Sequence, residues 1–147
     1  MIKAAALLLL TASPGSAGAW QAFEARCLMP FEAFGPPVVG DLAQRAQAGY
    51  ETSYDLPEGG VLVVEAAPED GHAACRVHHD RAQGEDAGFE AWMTGVTAIE
   101  RYIETDASNA GLLELHSNLW AEPVIAVQAQ WTATGGIYRV IETELEA

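Results

Sequence analysis

The sequence predicts an α+β fold: an antiparallel sheet of about six strands, one long amphipathic helix packed on one face, and a short N-terminal helix. Three observations carry that expectation. Short β-rich runs are separated by turns of Pro, Gly and acidic residues. A single stretch, residues 85–106, repeats its apolar residues at helical spacing. No internal repeat, low-complexity tract or linker divides the chain, so helix and strands belong to one domain, residues 20–147.

The chain begins MIKAAALLLLTASPGSAGAW. Lys3 supplies a basic start, Ala4 to Ala12 an apolar run, Ser13 to Ser16 a break, and Ala17-Gly18-Ala19 a small-x-small cleavage site. That layout is the layout of a secretory signal peptide, residues 1–19, cut after Ala19. The apolar run is well short of the ~20 residues that cross a bilayer, so no membrane anchor is expected after cleavage.

From Trp20 onward each element has its own signal. Residues 20–30 (WQAFEARCLMP) space Trp20, Phe23 and Cys27 as a helix, which Pro30 is expected to end. Residues 30–40 read as a loop anchored by Phe31 and Phe34. DLAQRAQAG, 41–49, reads as a short helix with Asp41 as cap, Gln44 at the capping-box position and Gly49 as stop. YETSYDL, VLVVEAA and AACRVHH then form a meander of three strands joined by PEGG and PEDG turns. In the long helix Phe89, Trp92, Met93, Val96, Ile99 and Ile103 make one apolar stripe, with Glu85 and Asp86 at the end where the dipole favours negative charge. Three more strands close the fold. GLLELHSNLW alternates Leu113, Leu115 and Ser117 against Glu114 and His116, and 122–146 is a long hairpin turning at TGG. Trp20, Trp92 and Trp131 are expected in the core and Trp120 at the surface, while Glu142, Glu144 and Glu146 share one face of the last strand.

The formal charge is −14, and it becomes one unit more negative once Lys3, the only lysine, is gone. Nucleic acid needs clustered positive charge and is excluded as a partner. Such a charge serves solubility and attracts cations or a basic protein. Cys27 and Cys75 are the only two cysteines, and in an exported chain they are expected to form a disulfide tying the first helix to the third strand of the meander.

HAACRVHHD, 72–80, crowds three of the four histidines around Cys75. As a strand it points Cys75, Val77 and His79 one way and Arg76, His78 and Asp80 the other. A divalent transition metal such as zinc or copper would draw on His72, His78, His79 and Asp80, with His116 from another strand. Splitting the donors between two faces, committing Cys75 to a disulfide and placing Arg76 among them all oppose that site. No phosphate loop, nucleophile elbow or H-E-x-x-H motif is present. The leading reading is therefore a small, soluble, periplasmic or secreted domain that binds a partner protein or small molecule without catalysis. Its alternatives are a metal-binding protein built on His72 to Asp80 and a small hydrolase whose acid–base residues only the fold would bring together.

Overall fold

The computed structural model describes residues 18–67, 72–118 and 124–143. Within them the chain is an α+β domain built on one antiparallel sheet, of eight strands instead of six. In chain order these are β1 (Gln44–Ala48), β2 (Glu51–Asp55), β3 (Val61–Glu65), β4 (Ala74–His79), β5 (Tyr102–Glu104), β6 (Leu112–Ser117), β7 (Ile125–Thr132) and β8 (Gly135–Glu142). They lie side by side as β1-β2-β3-β4-β8-β7-β6-β5, so the two hairpin series meet at β4 and β8. Residues 1–17 of the expected signal peptide, the PEDG turn, Trp120, Glu144 and Glu146 lie outside the described residues.

Both extra strands come from segments whose sequence reads as helix. Residues 44–48 form β1, every residue of which is exposed. With no buried stripe to hold a helix, the segment takes the hydrogen bonds that β2 offers at the sheet edge. The long helix is shorter than its periodicity implies. It runs only from Ala87 to Ala98 as α3, and the chain reverses at Glu100, a non-glycine residue with φ of 54°. Beyond the reversal β5 carries Tyr102 into the core, while Ile99 and Ile103 are left exposed, Ile99 at 67%. Tyr102 thus takes the core position that the helical stripe assigned to those isoleucines.

The N-terminal helical segment begins with α1 (Ala19–Phe23), passes through a π-helical turn (Glu24–Leu28) and ends in α2 (Met29–Glu32). Pro30 does not stop it. A proline tolerates the first turn of a helix, and Pro30 sits at the start of α2. Phe31 is buried as expected, whereas Phe34, with φ of 57°, is 73% exposed and anchors nothing. The loop after it is tied down by Arg26, which donates two bonds to the Asp41 carboxylate (2.7 and 2.9 Å) and one to the Val38 carbonyl.

Strand alternation divides the sheet into two unlike faces. Cys75 and Val77 of β4 pair in register with Val140 and Tyr138 of β8, and these point toward the helices. There Trp20 meets Phe23, Phe89, Trp92 and Tyr138 at ring separations of 4.6 to 5.2 Å. The Cys27–Cys75 disulfide, with Cα atoms 5.5 Å apart, joins the π turn to β4. Leu62, Leu115, Val127 and Val140 complete this core. The other face carries Arg76, Arg139 and their neighbours, and no helix among the described residues packs on it.

Candidate functional site

Sequence reasoning singled out the His72–Asp80 segment, and the structure disperses it. His72 is exposed ahead of β4. His78 lies on the uncovered face, where its Nε2 accepts a 2.8 Å bond from Arg76 Nε. His79 lies on the helix-covered face, stacked on Tyr138 with ring centroids 4.4 Å apart, and its Nδ1 accepts the Arg81 backbone N–H at 3.1 Å. Asp80 is exposed at the strand end. His116 stands on β6, separated from β4 by β8 and β7, and pairs with Glu114 at 3.2 Å. Cys75 is spent in the disulfide. Among the described residues no three His, Cys, Asp or Glu side chains converge, so the zinc or copper reading finds no donor set. The reason is the pleat: adjacent ligands on one strand diverge by construction.

What the sequence did not disclose is the order of the uncovered face. Arg76 and Arg139 are direct cross-strand neighbours, an arrangement that is repulsive by itself. Glu65, from β3, resolves it. Its carboxylate takes two bonds from Arg139 (3.0 and 3.1 Å) and an ion pair from Arg76 (3.2 Å). Arg76 also donates two bonds to Glu51 on β2, at 3.0 and 3.2 Å. In the other direction Arg139 reaches Gln128 on β7, and Gln128 donates to Glu114 on β6 at 2.7 Å. Thr105, just after β5, donates to the same carboxylate at 3.0 Å. The result is a polar ladder crossing the sheet from β2 to the end of β5, with the signs alternating over its charged half. Its only sequence signal is one polar residue at alternate positions of each strand; register, which sequence does not show, lines them up.

The ladder's electrostatics follow from its partners. Partial burial works to raise the Glu65 carboxyl, but the Arg139 and Arg76 guanidiniums outweigh it and hold it below the usual carboxylate range. Glu51 is held low by its bonds to Arg76. Glu114 is held low, against burial, by Gln128, Thr105 and His116. His78 is pushed down by burial and then by the Arg76 charge, which keeps it a neutral acceptor. Glu51 is the outermost member, its side chain half exposed, whereas the two arginines are largely covered.

A cavity of about 300 Å³ opens where the β2–β3 turn meets the end of β4, lined by Glu58, Gly60, Val61, His78, His79 and Arg81. Gly60 is required there: its φ is +92°, and a Cβ would stand 2.5 Å from the His78 carbonyl oxygen. Beside the cavity the His79 Nε2 is buried and makes no hydrogen bond. Burial holds the His79 pKa below that of an ordinary imidazole, so the ring is neutral and presents Nε2 as a donor. Behind the ring, Tyr138 donates to the Asp86 carboxylate at 2.9 Å, and burial together with that carboxylate pushes the phenol far above its usual range. Tyr138 is thus fixed as a neutral donor. Ser117 and His116 project to opposite faces of β6, and Ser117 Oγ accepts the Ile125 N–H at 2.9 Å. They do not form a nucleophile–base pair.

Compared with models of known protein families, with curated proteins and with solved structures, the chain matches none.

Proposed function

We propose that this chain is an exported, non-catalytic binding domain, stapled by Cys27–Cys75, that presents the uncovered sheet face to a basic protein partner. The observation that carries the reading is the ladder. Charged side chains that bridge several strands at fixed positions form a preorganised polar surface, and preorganisation lowers the entropy lost on association. Its arginines are engaged inward, and the carboxylates of Glu51 and Asp55 are what a partner meets first. The excess of 21 acidic over seven basic residues steers basic partners toward the molecule as a whole.

Export is supported by the order of basic, apolar and small residues in 1–19 and by a disulfide, which persists in oxidising compartments. Trp20, the residue directly after the expected cut, belongs to the core cluster, and Ala19 before it packs against that cluster only partly buried.

The test is capture from the exporting compartment on protein immobilised through a C-terminal tag. Three baits are compared: the wild type, a Glu51→Arg/Glu65→Gln double variant that disorders the ladder, and His79→Ala at the cavity. A basic protein kept by the wild type and His79→Ala, lost from the ladder variant and released by salt, is the expected result. Equal retention by all three, or by none, sinks the reading. Loss from His79→Ala alone would move the binding site to the cavity that His79 helps to line.

A further inference from the structure

Asp86 occupies the position just before α3, where a carboxylate ordinarily caps its own helix, yet its side chain makes no capping bond there. It turns inward, 4% exposed. Its Oδ2 accepts the Tyr138 hydroxyl at 2.9 Å and the backbone N–H of Trp20 at 3.0 Å. A carboxylate in the wall of an aromatic cluster is costly to desolvate, and neutral donors compensate it less fully than a cation does. The nitrogen that reaches it belongs to the residue that signal cleavage would make the first.

We propose that removal of residues 1–19 turns this contact into a buried ion pair, the α-ammonium of Trp20 against Asp86, so that processing locks the N-terminal helical segment onto the sheet. The proposal rests on the reading that the chain is exported and cut after Ala19. Hydrolysis of the Ala19–Trp20 bond consumes one water; Ala19 leaves with the carboxylate, and the Trp20 nitrogen becomes an amine that takes up a proton at neutral pH. That nitrogen already stands at hydrogen-bond distance from Oδ2, so the pair forms without rearrangement.

Gly18 is the second observation. A Cβ there would lie 2.4 Å from Asp86 Oδ1, so any side chain at this position would push the carboxylate from its place. Cleavage removes Gly18 and Ala19 together and opens the Oδ1 side to the new N–H donors. Trp20 is 1% exposed, so the cut belongs before folding, on the chain as it is exported. A positive charge in the first turn opposes the helix dipole, but that effect is weak beside a buried carboxylate at contact distance. Among the described residues, Glu24 faces the Trp20 indole, and His79, Arg81 and Glu90 act electrostatically on the Asp86–Tyr138 pair.

The chain offers a clean readout, because with Lys3 gone the Trp20 α-amine is the only primary amine. Exported protein is recovered, and its intact mass identifies the first residue and the disulfide. The amine is then acetylated across about pH 6 to 11 while folded, and again in urea. Burial alone lowers an amine's pKa, whereas pairing with a carboxylate raises it above the ordinary value of about 7.7–8.0. The expected profile for the folded protein is shifted up by about one unit or more, a tenfold fall in free amine at neutral pH. Folded Asp86→Asn should return it to or below the ordinary value; if that variant does not fold, the wild-type profile still decides. Stability gives the same sign. A folded pKa above the unfolded one adds stability that is complete below about pH 7.7 and lost as pH rises through the folded pKa. A mass that starts elsewhere overturns the cut after Ala19 and the pair with it. A mass that starts at Trp20, with an amine at or below its ordinary pKa, overturns the pair alone.

Discussion

The two faces of the sheet are built from alternate residues of the same strands, yet they are held by different physics. On the helix-covered face, Trp20, Phe23, Phe89 and Tyr138 pack ring on ring above Cys75 and Val77. On the other, Glu51, Arg76, Glu65, Arg139, Gln128 and Glu114 hold one another by charge and hydrogen bond. Buried apolar contacts scale with area removed from water, whereas half-exposed ion pairs are screened and individually modest. The first face therefore carries the stability. The second sets which strands lie opposite and what a partner meets.

The helix-covered face is most vulnerable at its aromatic centre. Trp20→Ala should cost about 3–5 kcal/mol, the usual range for deleting a large buried aromatic, read as a fall in the urea midpoint. An effect under about 1 kcal/mol would mean that the helices contribute little to holding the sheet. Next comes the staple. Replacing Cys27 and Cys75 together by serine should cost about 2–4 kcal/mol, since the closed loop spans 48 residues in sequence and its entropy returns to the unfolded chain.

Glu65→Gln should cost less, about 1–2 kcal/mol, by leaving Arg76 and Arg139 facing each other. Added salt should recover part of that loss, because it partly screens the repulsion between the two guanidiniums, while leaving the Trp20→Ala loss in place. Indifference of Glu65→Gln to salt would show that the ladder acts by packing and not by charge.

Mild acid gives the smallest effect and a sign that can fail. His78 and His79 are held below the ordinary histidine pKa, so folding favours their neutral forms. Their contribution is complete above about pH 6.5 and lost as pH falls through the folded values. Glu51, Glu65 and Glu114 are also held low, so their contribution is complete above about pH 4.5 and lost below it. Urea midpoints should fall slightly between about pH 7 and 5.5 and more steeply below about pH 4.5. A rise on acidification would contradict both assignments.

Six of the eight strands were legible because their turns and alternation are local. So was the division of β4, where Cys75 and Val77 turn in and Arg76 turns out. The other two strands, β1 and β5, mark the limits of periodicity. Residues 44–48 have an acceptable helical pattern and no burial to support it, and Ile99 and Ile103 keep helical spacing across a reversal at Glu100 that no glycine or proline announces. The ladder was illegible for a different reason. It draws on strands far apart in sequence, and only their register brings Glu65 between Arg76 and Arg139. Asp86 was visible as a residue at a helix start, but its inward turn depends on Gly18 and Tyr138, both distant in sequence.

The borders of the sheet bear on how copies of the chain treat one another. At one border β1 is kinked by a register shift between Gln44 and Ala46, with Arg45 drawn to Asp55 across the irregularity. At the other, β5 is only three residues long. A bulged, charged border and a stub are poor templates for an incoming strand. Among the described residues, both borders of the sheet therefore offer a second copy of the chain a poor template for strand addition.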